Sequence, residues 1–357
     1  MKNIFNFLRK DKIGEPPYLY NFLANLPESE YPKYLKKIYK YKTGENLNLK
    51  HPKTFNEKIQ WIKLYGVTPL MRDCTDKVKV RDFVKERIGE EYLKPVLQII
   101  PNESKETMRC HCEQVNDNSG LARQSTDGSN DKMDCRADIK MTLSARNDGE
   151  LDDVSTYFDK IDFDKLPNSF VIKTNHGCKW QYIIKDKNEF LNTPKLIEIV
   201  KNQITGWLEQ DYSFFNGFEM QYGNISPKIL IEPLLRNEIN TPCKQIQTYC
   251  FNGVPKFIIY IHNNSEITLY DGNFNIIEDF FEFEEEKRNI EADNFTKQSF
   301  DLSIKLLNKT NFHFVRVDLM IYKNKLYFEE LTFTPYSGFY SNIQKNNDIK
   351  LGRLLQI

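Results

Sequence analysis

The sequence has no run approaching the roughly 20 apolar residues of a membrane-spanning helix. Its opening stretch, MKNIFNFLRKDK, never reaches the apolar length of a signal peptide. These absences predict a cytoplasmic protein. Ile4, Phe5, Phe7 and Leu8 with Lys2, Arg9 and Lys10 are compatible with peripheral contact at a membrane surface or with a short fraying helix. There is no excess of charge of either sign, since Lys plus Arg and Asp plus Glu number 50 each. Zero net charge gives no overall attraction to nucleic acid. Cysteine is sparse, odd in number at 7, and never in a C-x₂-C pair. The thiols therefore read as reduced, and the cluster Cys110, His111, Cys112 and Cys135 lacks the paired spacing of zinc sites.

A last absence is local. Pro101 to Glu150 contains no Phe, Tyr or Trp, although both flanks are rich in them. Such a segment cannot bury enough apolar surface to offset its ordering entropy, so residues 101–156 read as a polar, disordered insertion added to the fold.

What remains is long enough for two or three domains. Residues 18–50 carry apolar and basic positions at helical spacing, a helical lead-in. Thr54 and Glu57 form a capping box ahead of Ile59, Trp61, Ile62 and Leu64. Asp73 to Ile88 is expected to be one helix, with Lys77 near its start. Phe170–Lys173 and Trp180–Lys185 are expected as strands joined by Thr174-Asn175-His176-Gly177-Cys178-Lys179, a loop able to fold over phosphates. Thr193-Pro194 caps a helix through Leu208, and Lys228–Ile231 is a buried strand ending at Glu232-Pro233. Tyr249–Phe251 and Lys256–Ile261 form a hairpin over Asn252-Gly253, and Gln298–Asn308 a helix.

The densest chemistry lies in Phe312 to Phe339, FHFVRVDLMIYKNKLYFEELTFTPYSGF, which alternates like a β-hairpin. Val315, Val317, Leu319 and Ile321 share one face and Arg316 and Asp318 the other. On the return strand Glu330 and Thr332 are expected on the face of Leu326 and Phe328. A three-residue loop, Lys323 to Lys325, sets Asp318 opposite Glu330 and Arg316 opposite Thr332. A two-residue loop sets Asp318 opposite Glu329 and dissolves the group. Directly opposed carboxylates repel, and a hard divalent cation such as Mg²⁺ or Mn²⁺ removes the conflict by taking oxygens from both together with phosphate. The alternative is a solvated face with incidental charges.

The phrases LPNSFVIKTNHGCKW, PKILIEPLL, YCFNGVPKFI and FVRVDL with LYFEELTFTPYSGF, in that order, resemble the TupA-like branch of the ATP-grasp superfamily. The resemblance spans almost the whole chain outside the insertion. It implies an α+β ATP-grasp fold, two lobes clasping ATP behind the helical lead-in. The implied division is 1–50 lead-in, 51–100 N-terminal lobe, 101–156 insertion, 157–225 central lobe and 226–357 C-terminal lobe. It further implies an ATP- and Mg²⁺-dependent ligase in bacterial surface-polysaccharide synthesis. Such a ligase joins a sugar acid or polysaccharide to an amine donor, beside other glycan-biosynthesis enzymes.

By the same resemblance Lys173 and Lys185 reach the phosphates, with Lys179 and Lys187 as alternatives to the latter. His176 and Gly177 cover the phosphates, and Lys77 approaches the nucleotide. Glu232, Leu234 and Leu235 form the hinge whose backbone meets adenine. Asp318, Glu330 and Thr332 are the implied metal ligands, Thr332 standing where many relatives have Asn. Arg316 and the Gly338 N–H stabilise the charge that develops in the reaction. The pattern implies an acidic residue and a lysine near Gln245 and Gln247, where this chain has neither. That departure keeps two other readings open: a nucleotide-binding scaffold without catalysis, and a kinase-like phosphotransferase.

Overall fold

The computed structural model describes residues 17–101, 155–236, 242–263, 266–278, 286–340, 343 and 345–357. Nearly all of the insertion, its Cys110–Cys135 cluster and the N-terminal stretch fall outside them. Two largely antiparallel sheets carry the fold. The smaller has the order β1-β4-β2-β3, from β1 (Gln98–Pro101), β2 (Phe170–Thr174), β3 (Gln181–Ile184) and β4 (Lys228–Pro233). The larger has the order β10-β9-β5-β6-β7-β8. Its strands are β5 (Lys244–Phe251), β6 (Val254–Asn263), β7 (Glu266–Asp271), β8 (Glu286–Lys287), β9 (Phe314–Tyr322) and β10 (Lys325–Thr332).

The helices are α1 (Pro17–Ala24), α2 (Tyr31–Thr43), α3 (Phe55–Tyr65), α4 (Pro69–Thr75), α5 (Val80–Ile88), α6 (Ser155–Asp159), α7 (Lys187–Leu191), α8 (Pro194–Glu209), α9 (Asn294–Leu307) and α10 (Lys345–Leu354). The Thr54–Glu57 capping box is formed in full. Thr193 does not cap α8: its hydroxyl donates back to the Glu189 carbonyl at 2.8 Å, leaving Pro194 to start the helix. The expected helix from Asp73 to Ile88 is two helices. Asp76 breaks it, because its carboxylate accepts from the Val78 N–H at 2.8 Å and competes with the helical ladder. Lys77 therefore sits in a break between α4 and α5.

Three cores form. The smaller sheet packs against α6 and α8 through Phe170, Ile172, Ile229 and Ile231. The larger buries Val315, Val317 and Leu319 completely, with α9 on β5 and β6. Phe55, Ile59, Met71 and Val84 join that same core, whereas Ile100 on β1 belongs to the core of the smaller sheet. β4 lies between β1 and β2 in the smaller sheet. The lead-in packs Leu35, Ile38 and Tyr39 against Phe214 and Phe218. Among the described residues no helix is long and apolar enough to cross a membrane.

Candidate functional site

The β9–β10 hairpin turns on two residues, not three: Tyr322 pairs with Lys325, and Lys323 and Asn324 both adopt left-handed backbone, φ 47° and 56°. On a regular ladder that turn would align Asp318 with Glu329. The ladder instead bulges at Glu329, between Phe328 and Glu330, and the extra residue restores the pairs Asp318–Glu330 and Arg316–Thr332. The bulge also turns Glu330 and Thr332 away from the face of Leu326 and Phe328, correcting the expected pattern. Core packing explains the choice. Leu326, Phe328 and Leu331 lie opposite Ile321, Leu319 and Val317 on the buried face, each complete burial contributing about 2 kcal/mol.

On the other face the polar groups converge. Arg316 donates through Nε to Asp318 Oδ1 at 2.7 Å and through Nη2 to Oδ2 at 2.6 Å, a bidentate pair. The Thr332 hydroxyl lies 3.0 Å from both Asp318 Oδ2 and Glu330 Oε1, so its one proton serves two carboxylates. Burial pushes the Asp318 carboxyl up to about 6, against the pull of Arg316. On the adjoining strand Gln247 lies opposite Asp318, Gln245 opposite Met320 and Tyr249 opposite Arg316.

The 174–180 loop is tied to the break between α4 and α5 and to the start of β4. Asn175, fully buried, is its keystone and was not picked out from the sequence. Its side-chain Nδ2 donates to Asp76 at 2.9 Å and to the Ser226 carbonyl at 3.0 Å, and its Oδ1 accepts from the Lys228 N–H at 2.7 Å. Its backbone carbonyl accepts from the Lys77 N–H, and the Lys77 ammonium donates to the Gly177 carbonyl. Burial pushes the Cys178 thiol up, and Glu330 and Lys77 both act on it from opposite directions. A Cβ on Gly177 would stand 2.2 Å from the Trp180 ring, so only glycine fits under that indole.

The other expected residues are more dispersed. His176 is 2% exposed; its Nε2 is 3.0 Å from the Trp207 carbonyl and its ring lies edge-on to Trp180. Lys185 is exposed just past the end of β3, about 13 Å along the strand from the position opposite Lys173. Leu234 and Leu235 are half-buried where the chain leaves the smaller sheet, and the Leu234 N–H reaches the Ser169 carbonyl at 3.4 Å. Gly338 closes a turn in which Tyr336, Ser337 and Gly338 are all left-handed, φ 51°, 53° and 68°. Gln60 pins the carbonyls of Ser337 and Gly338 at 2.9 and 2.7 Å.

Lys173 is bonded to Glu232 at 2.6 Å, and the same Glu232 oxygen is 3.2 Å from Lys94. Lys94 in turn is 2.9 Å from Glu329, the bulge residue. Burial works against the Glu232 carboxylate, but Lys173 and Lys94 together hold it down at about 2. Lys173 moves below its ordinary range, because burial and repulsion from Lys94 exceed the attraction of Glu232 and Glu329. Lys94 moves upward, since it alone faces both carboxylates closely.

A family model described as TupA-like ATPgrasp matches residues 119–356. Among solved structures, D-alanine–D-alanine ligase from Bacillus anthracis is 13% identical, with 86% of this chain and 78% of that one covered at a TM-score of 0.35. D-cycloserine synthetase DcsG is 10% identical over 92% and 94%, at 0.37. The D-alanine–D-alanine ligase from Helicobacter pylori is 10% identical over 84% and 69%, also at 0.37. These structural likenesses are too loose to bear on chemistry, and no curated protein matches. The family match covers most of the chain, including the 174–180 loop, residues 232–235 and the β9–β10 hairpin, and by it the chain belongs to the TupA-like ATP-grasp family.

Proposed function

We propose that this ATP-grasp ligase activates a carboxylate with ATP as an acyl phosphate, which an amine attacks to give an amide, ADP and inorganic phosphate. The observation that supports it is the alignment of Arg316, Asp318, Glu330 and Thr332 on one face of the β9–β10 hairpin. Arg316 is a fixed cation where charge develops, first on the transferring phosphoryl oxygens and then on the tetrahedral carbon. Lys77 and Lys173 supply point charges to the phosphates. The backbone at Glu232 to Leu235, where the chain passes between the sheets, suits adenine.

Asp318 and Glu330 offer hard oxygen donors, which fit a divalent cation such as Mg²⁺ or Mn²⁺. Among the described residues no group of three or more His, Cys, Asp and Glu could hold a metal. Two carboxylates would therefore hold it together with phosphate oxygens, which it would neutralise. Arg316 would have to release one Asp318 oxygen.

The carboxylate we assign is a sugar acid of a bacterial surface polysaccharide or its precursor, and the amine an amino acid or peptide. The resemblance of the chain to its family supports this. A catalytically silent scaffold is the second reading, favoured by neutral Gln247 opposite Asp318. The test is ADP release with paired sugar acids and amino acids. Release should need both acceptors and fall about a hundredfold or more in Asp318→Asn. A stable phosphorylated product that survives without amine would favour phosphotransfer instead, and bound ATP with no release from any pair would favour the scaffold.

A further inference from the structure

The segment between α5 and β1 passes from one sheet to the other. Leu93 bridges Phe328 of β10, and Gln98 pairs with Ile231 of β4. Lys94 lies between them, 9% exposed, its carbonyl held by Arg81 Nη2 at 2.9 Å. Its ammonium reaches one carboxylate from each sheet, Glu329 at 2.9 Å and Glu232 at 3.2 Å. The Glu232 oxygen it approaches is the one that holds Lys173 at 2.6 Å. One buried oxygen therefore serves two ammoniums, and the bulge that aligns Glu330 with Asp318 also releases Glu329 to anchor Lys94.

This arrangement bears on how Lys173 can act. To meet a phosphate it must leave Glu232, and a buried carboxylate stripped of its counter-ion is strongly unfavourable. With Lys94 already beside it, Glu232 keeps a cation when Lys173 departs, and the repulsion between the two ammoniums is relieved. We propose that Lys94 is a positioning residue for nucleotide binding, the counter-ion that takes over Glu232 and releases Lys173 to the phosphates. The inference rests on the reading that ATP occupies the cleft. A Lys94 that merely pinned the sheets together would affect stability, and removing a second residue's charge would not restore binding.

The experiment is a calorimetric titration of ATP with Mg²⁺ into the full chain and its variants, each checked for folding by circular dichroism and urea melting. Lys94→Met should weaken binding about tenfold or more, by trapping Lys173 on Glu232. Lys94→Arg should recover most of it. In the Lys94→Met background, Glu232→Gln should recover binding several-fold by removing the trap. Lys94→Gln, a donor without charge, carries the same expectation if Lys94→Met does not fold. Unchanged binding in the uncharged Lys94 variants, or no recovery in the double variant, would overturn the inference alone, provided Lys173→Ala still loses affinity. A folded parent that binds no ATP would overturn the nucleotide reading and this inference with it.

Discussion

Glu232→Gln removes the charge that Lys173 and Lys94 share, and its effect on stability can be worked from the structure. The folded carboxyl sits at about 2 against an ordinary 4.5. That difference contributes about 3 kcal/mol at neutral pH. The side chain is only 8% exposed, so solvent screening removes little of it. For a depressed acid the stabilisation is complete above the unfolded value and is lost as pH falls through the folded one. Between 1 and 2 kcal/mol, roughly half, is therefore expected to remain at about pH 3. Titrating groups outside this cluster are common to parent and variant, so their difference reports on Glu232 and its two lysines. Urea denaturation at several pH values between 7 and 3 should show Glu232→Gln less stable by about 3 kcal/mol at pH 7, with the gap closing by about half at pH 3. A gap that stays constant with pH, or none at pH 7, would refute the assignment of Glu232 as the buried partner of two lysines.

Three further substitutions probe the elements that set the site. Asn175→Ala leaves Asp76, the Ser226 carbonyl and the Lys228 N–H without their buried partner, and should cost about 2–4 kcal/mol in urea melts. Lys323→Asn with Asn324→Gly matches the two left-handed positions of the hairpin and should stabilise by roughly 1 kcal/mol; a three-residue loop would show no such gain. Gly338→Ala places a Cβ 2.7 Å from Gln60 Nε2 and 2.8 Å from Ile59 Cγ2 at φ 68°, and should lower the melting temperature measurably.

The alternation of β9 was legible because one face, Val315 to Ile321, is wholly apolar while Arg316 and Asp318 interrupt the other. The partner register was reached from the sequence by a mistaken route: a three-residue loop stood in for a two-residue loop plus a bulge. The signal was present in β10, where Leu326, Phe328 and Leu331 step by two and then three, leaving Glu329 and Glu330 side by side. Lys94 left no comparable trace. Its partners lie on two separate strands, Glu329 being 235 residues away, and nothing in the flanking Leu93 and Pro95 announces an ion pair. Asn175 was hidden for the same reason, since its role comes from Asp76 and Lys228, each distant in sequence. The expected helix over Asp73–Ile88 failed because apolar spacing does not report a side chain competing for backbone N–H groups, as Asp76 does.

Everything proposed for the site depends on whether the aligned carboxylates and the lysines assigned to the phosphates hold a nucleotide. The most direct measurement is calorimetric titration with ATP, with and without Mg²⁺, of the parent, Asp318→Asn and Lys173→Ala. Metal-dependent binding in the parent that is weakened in both variants is the predicted result. A folded parent that binds no ATP, or that binds it unchanged in either variant, would contradict the assignment of Asp318 and Lys173 to one nucleotide site.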